Sequence, residues 1–231
     1  MKKTFDPLNV SRRTVLFVIG AALLSGCATQ PVPSSEPDAL VDSARTTLSN
    51  FIRDPDQTWI QQNLNRARAV LIAPQIVRAG FVVGGSGGRG VLLARDGTTW
   101  SGPAFYNLAT ASVGFQAGVD VSEAIIVVMT EKGLNSLLSS SFKMGADASI
   151  AAGPVGASAG STVTADLITF TRARGVFGGL NLNGTVVSTN VPWNDAFYGR
   201  SNVLPPDVLI RQTVVSPKAQ ALLADVARAA K

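Results

Sequence analysis

The sequence predicts an α+β fold: a single domain with a mostly antiparallel β-sheet or partly closed barrel, and N-terminal and C-terminal helices packed on it. Three observations point there. Apolar residues recur at helical spacing near both ends of the mature chain, at Val41, Ala44, Leu48 and Phe51 and again at Leu222, Leu223 and Val226. Between them, from Phe81 to about Val187, the pattern changes to alternation and short apolar runs, the signature of strands. Asp96-Gly97, set between Val91–Arg95 and Thr98–Trp100, is a strong two-residue hairpin signal, so neighbouring strands run antiparallel.

In chain order, Asp38 is placed to cap the first helix. Asp54-Pro55-Asp56 then breaks the chain and caps a second, whose Ile60, Leu64, Ala67 and Leu71 recur at helical spacing. After the hairpin, Val113, Phe115, Ala117, Val119 and Val121 alternate with Gly114, Gln116, Gly118 and Asp120, the period of a strand with one buried face. Ala124–Met129 reads as a continuous apolar strand, and Thr130 as the cap of a short helix presenting Leu134, Leu137 and Leu138. Residues 145–160 hold 12 Gly, Ala or Ser among 16, which fits strands at a tight sheet corner or a flexible loop. Ser216-Pro217 opens the last helix, with Pro in its first turn.

The segment ahead of the domain reads as an export signal. Lys2, Lys3, Arg12 and Arg13 precede an apolar run of ten residues, Val15 to Leu24, and then Ser25-Gly26-Cys27. That run is half of the roughly 20 residues a spanning helix needs. Leu24-Ser25-Gly26-Cys27 resembles the lipobox of bacterial lipoproteins, which implies cleavage before Cys27, lipid on its thiol and palmitate among the acyl chains. Residues 1–26 are then a signal peptide, 27–38 a lipidated N-terminus and flexible tether, and 39–231 the domain. Ala28 stands where an Asp often signals inner-membrane retention, so the expected location is the outer membrane, facing the periplasm. Ser11-Arg12-Arg13-Thr14-Val15-Leu16 resembles the twin-arginine signal, and the twin-arginine and general secretion routes both stay open.

Removing the signal changes the charge argument. The chain carries 20 basic and 15 acidic residues, but 1–26 hold four of the bases and one acid, leaving the mature chain at +2. A nucleic-acid partner loses its main support. Histidine is absent and Cys27 is the only cysteine. That excludes His-based nucleophilic pairs, His-containing zinc sites and internal disulfides. No cofactor or metal is expected.

Two motifs invite function. Gly85-Ser86-Gly87-Gly88-Arg89-Gly90 satisfies a dinucleotide fingerprint in spelling, but Val91-Leu92-Leu93 continues as strand where the chemistry needs a helix N-terminus. In Ile168–Arg174, alternation puts Ile168, Phe170, Arg172 and Arg174 on one face, apolar first and then basic. Acyl chains could lie against the first pair while the guanidiniums hold a phosphate; an exposed strand end with solvated arginines is the alternative. Arg89 completes the candidate lipid-binding set. Asp120, Glu123, Asp147, Asp166 and Asp195 are the material for a carboxylate-based hydrolase, although spacing brings no two together.

From Arg68 to Gly199 the chain resembles the SYLF domain family. The resemblance rests on Ala69-Val70-Leu71-Ile72, the run from Phe81 through Gly85-Ser86-Gly87-Gly88-Arg89-Gly90 to Val91, and Trp100-Ser101-Gly102-Pro103-Ala104-Phe105. It continues through Gly114-Phe115-Gln116-Ala117-Gly118, Ala146-Asp147-Ala148 with Gly153-Pro154, Arg174-Gly175-Val176-Phe177-Gly178-Gly179-Leu180, and Asn194-Asp195-Ala196-Phe197-Tyr198-Gly199. The resemblance implies binding without catalysis, since eukaryotic members are associated with phosphoinositide-containing membranes and with actin. For an exported lipoprotein the implied ligand is an ordinary phospholipid or the membrane surface. A structural or protein-interaction role in the envelope is the alternative. The basic start linked to eukaryotic binding is thin here: Arg66, Arg68 and Arg78, with no lysine cluster.

Overall fold

The computed structural model describes residues 32–80, 83–113, 118–154, 163–173 and 181–231. Residues 32–231 form one compact unit that contains two hydrophobic cores. Cys27 and Arg174 lie outside the described residues.

Helix α1 spans Ser35–Arg53 and buries Val41, Ala44, Leu48 and Phe51, the stripe its spacing predicts. It begins ahead of Asp38, which sits in its first turn instead of capping it, so the expected tether is helical from Ser35. Asp54 does end this helix, and its carboxylate accepts from the Asp56 N–H to start a 3-10 turn. The second helix is shorter than its periodicity predicts. Helix α2 runs Thr58–Asn63, a 3-10 turn covers Leu64–Arg66, and Leu71 already belongs to a strand. A continuous apolar run fits a strand buried on both faces as well as a helix, and here the sheet claims it.

Strands β1 (Ala69–Gly80), β2 (Val83–Asp96), β3 (Thr99–Val113) and β4 (Gly118–Val128) make the centre. Val113 and Val121 therefore sit on different strands, not on the single one their alternation predicts. Helix α3 (Glu131–Leu138) follows, capped by Thr130, which accepts from the Gly133 N–H at 3.0 Å. Next come β5 (Ser141–Lys143), β6 (Ile150–Ala152), β7 (Leu167–Ala173) and β8 (Val186–Thr189). Two helices absent from the sequence expectation, α4 (Val191–Tyr198) and α5 (Pro205–Leu209), precede the last, α6 (Gln220–Ala229).

Among the described residues the sheet has eight strands in the order β5-β8-β3-β2-β1-β4-β7-β6, open and curled like half a barrel. Every pairing is antiparallel except β6 with β7. Gly153 sits where the chain runs close to another residue, since a Cβ on it would stand 2.2 Å from the Phe170 ring; residues 155–160 of the small-residue stretch lie outside the described residues.

A bulge in β1 organises both faces. Pro74 cannot donate to a ladder, and the register with β2 and β4 slips around it. Alternation shifts by one, so Ile72 packs in the helix-side core while Ile76 joins the opposite core. The displaced backbone also explains the glycines opposite, because a Cβ on Gly88 would stand 2.5 Å from the Gln75 carbonyl. That glycine answers a close approach of two strands, not a phosphate.

On the helix side, α1, α2, α4 and α6 cover Val70, Ile72, Val91, Leu93, Phe105 and the facing residues of β4 and β7. On the other side, Leu134, Leu137, Phe142, Val208 and Leu209 close over Leu71, Leu92, Tyr106 and Ile126. At about 25 cal/mol per Å² of apolar surface removed from water, these two buried layers are the main stabilising term.

Candidate functional site

The helix-side face carries the described candidate residues Ile168, Phe170, Arg172 and Arg89, in two different settings. On β7, Ile168 and Phe170 are fully buried, 0% and 1% exposed. The Phe170 ring lies 5.5 Å from that of Trp59. Protein side chains already occupy the space in which the sequence reading places an acyl chain. Arg172 continues the same face, but its guanidinium is ion-paired with Asp54 and lies over the Phe51 ring, 5.4 Å from its centroid. The bond from Arg172 holds the Asp54 carboxyl below its usual range, helped by the Asp56 N–H. Arg172 thus ties β7 to the end of α1.

Arg89 has no such partner. On β2 it lies opposite Gln75 of β1 and Asn107 of β3, exposed, and no carboxylate among the described residues pairs with it. Its guanidinium is 4.6 Å from the centroid of the Trp193 ring. Trp193 is held by the attachment of α4 to β3. Asn190 caps that helix, accepting from the Trp193 N–H, and donates to Asn107 Oδ1 at 2.9 Å. One turn on, buried Asn194 accepts from the Phe105 N–H at 2.9 Å. The indole so placed is 6% exposed and packs against Phe105, ring centroids 6.0 Å apart.

A guanidinium stacked on an indole by one face keeps its N–H edges free in the ring plane, and stacking restricts the motion that anion binding would otherwise freeze. Two of those N–H groups match a phosphate or carboxylate in bidentate geometry. The sequence points to Arg89 as a base within a glycine run. Trp193 is the residue sequence reasoning missed, and only the Asn-Val-Pro helix start at Asn190 signals the helix that delivers it.

The carboxylates are engaged one by one. Asp166 accepts from the Thr130 hydroxyl at 2.6 Å and from the Ser149 hydroxyl and N–H at 2.7 and 2.9 Å. These bonds, with Lys132 at 3.6 Å, lower its pKa to about 2. Asp195 accepts from the Asn202 and Val203 N–H groups, and Asp147 from the Lys143 N–H. Buried Asp120 accepts from Ser122 and lies across from Arg78, on the face opposite buried Glu123.

A family model described as Las17-binding protein actin regulator, Ysc84, matches residues 109–230. The chain is 27% identical to SH3 domain-containing YSC84-like protein 1 of Xenopus laevis, over 78% of this chain and 56% of that one. It is 28% identical to protein YSC84 of Saccharomyces cerevisiae, over 84% of this chain and 43% of the yeast protein. LAS seventeen-binding protein 3 of the same yeast is also 28% identical, over 73% and 39%. The chain thus spans about half or less of the length of these relatives. No solved structure matches it.

Proposed function

The chain belongs to the Ysc84 (SYLF) family, and we propose that its domain is a non-catalytic binding module for phospholipid or the membrane surface. A lipoprotein of the cell envelope carries it, anchored through Cys27 and facing the periplasm from the outer membrane. The observation that carries the binding reading is Arg89, its guanidinium over the Trp193 ring and paired with no carboxylate among the described residues. Support for the anchor is the signal-like run ending in Leu24-Ser25-Gly26-Cys27. No helix among the described residues is long and apolar enough to cross a membrane. The attachment in this reading is lipid, and a triacylated cysteine exceeds the two anchoring signals that stable attachment takes.

Two measurements test it. Phospholipid should co-purify with residues 32–231 and be seen by lipid mass spectrometry, and the same unit should float with vesicles at low salt. Neither bound lipid nor flotation would sink the binding reading. Palmitate labelling in cells should vanish in Cys27→Ala, and persistent label would remove the anchor.

A second reading, a protein-interaction module of the envelope, draws on the relatives' names, which describe binding to another protein. Crosslinking in cells should then capture a discrete partner in place of lipid.

A further inference from the structure

The strand registers assemble an uncovered surface beyond the helices. From β4 to β8 they align Val121, Val77, Gly87, Ala109 and Val186 across the sheet, and the row ends at Lys143 on β5. The next row outward is Val119, Ala79, Gly85 and Ala111. The row on the inner side is Gln75, Arg89 and Asn107. Directly opposed residues of antiparallel strands share a face, so all these side chains point the way Arg89 does. Val77 is 39% exposed, Val119 71% and Val186 41%. They are three of the six large hydrophobic residues exposed among the described residues, and here they gather on one surface. At about 4.8 Å per strand the surface is roughly 24 Å wide.

Its charge selects the occupant. Among the described residues Arg89 and Lys143 are the only exposed charged side chains in these rows, and both are basic; Glu123, two residues from Val121 on the same face of β4, is buried. The Lys143 main-chain N–H, not its ammonium, bonds Asp147. A second copy of the chain would bring the same two exposed cations and no exposed acid in these rows. An apolar surface with a cationic border complements an anionic bilayer, whose phosphates meet the cations while the aliphatic side chains enter the headgroup layer.

We propose that this sheet face docks on an anionic phospholipid bilayer, with Arg89 and Lys143 on lipid phosphates and Val77, Val119 and Val186 against the interface. The inference rests on the phospholipid reading above and adds which surface meets the lipid and the sign of its headgroups.

The test is flotation of residues 32–231 with phosphatidylethanolamine vesicles, plain or carrying about a third phosphatidylglycerol. The unaltered unit should float with the anionic vesicles and more weakly with the plain ones. Arg89→Ala and Lys143→Ala should each weaken binding about fivefold, and Val119→Asp should weaken it more than tenfold, by placing a like charge in the contact. Val119 is largely solvated in the free protein, so this variant keeps its fold, checked by its melting temperature. Ile210→Asp, 52% exposed and outside these rows, should bind as before. Flotation untouched by the three face variants overturns the face while leaving the lipid reading standing. No flotation of the unaltered unit removes both. A dimer in solution that Val119→Asp splits would give the face to a second copy and overturn the proposal.

Discussion

The helix-side face of the sheet is covered over half its length and open over the other half, although both halves alternate in the same way. In the covered half, Val70, Ile72, Val91, Leu93, Ile168 and Phe170 meet α1, α2, α4 and α6. In the open half, the same strands present Val77, Ala79, Gly87, Ala109 and Val119 to solvent. Side-chain size follows the cover: branched and aromatic residues fill the buried half, whereas Gly, Ala and Val pave the open one. The two arginines follow it too. Arg172, at the edge of the helices, is neutralised by Asp54, and Arg89, where the open half begins, lies over Trp193 with no carboxylate partner among the described residues. Strand alternation thus decides which way a residue points, and the helices decide whether it becomes core or contact surface.

Truncating one residue in each half is the sharpest way to break that comparison. Phe170→Ala should cost about 3–5 kcal/mol through lost burial and the cavity left under Trp59. In a unit of this size that lowers Tm by about 10 °C. Val77→Ala in the open half should stay within about 0.5 kcal/mol. Equal losses in thermal melts would mean that the open half is packed in solution.

Asp166 tests the second level of the covered architecture, the pins that hold α3 and β6 to the end of β7. Asp166→Ala should cost about 1.5–3 kcal/mol, because it removes hydrogen bonds made to a charged acceptor. The pH dependence follows from its lowered pKa of about 2. A carboxylate whose folded pKa is depressed stabilises the fold above its unfolded value of about 4, and that contribution fades as pH falls through the folded one. The stability gap between Asp166→Ala and the unaltered unit should therefore be full at pH 6 and shrink between about pH 4 and pH 2. A gap that does not change with pH would refute the carboxylate as its source.

Much of this fold was legible where local chemistry and tertiary need agree. Asp96-Gly97 makes its hairpin, Thr130 caps α3, and the stripe of α1 is buried as its spacing requires. The sequence misled at β1, where Leu71 extends the helical spacing of Ile60, Leu64 and Ala67 but opens an apolar run that the sheet claims. Helix α4 escaped notice because eight residues carry too little periodicity, although Asn190, Pro192 and Gly199 mark its two ends. Of the candidate site, the orientation of Ile168, Phe170 and Arg172 followed from alternation, but their cover by α1 and α2 did not. Arg89 was visible as a residue, whereas its stack and the rows beside it exist only once six strands and α4 are in register.

A smaller loss of stability separates the two arginines most directly. Arg172→Ala removes a partly exposed ion pair, 36% and 20% exposed at its two side chains, together with the stack on Phe51. Exposure to solvent screens such a pair, so the expected cost is about 1 kcal/mol, or roughly 2–4 °C in Tm. Arg172→Lys should recover only part of it, since an ammonium keeps the charge but neither the fork nor the flat stacking surface. Because the Arg172 bond is the leading cause of the lowered Asp54 pKa, the ion-pair share of the loss should be present at neutral pH and fade as acid protonates Asp54, leaving the share from the Phe51 contact. Vesicle binding should be unchanged, in contrast to Arg89→Ala, which should weaken binding and leave Tm almost where it was. The reverse outcome, with Arg172→Ala losing lipid at constant Tm, would move the site to β7 and make the covered half the functional one.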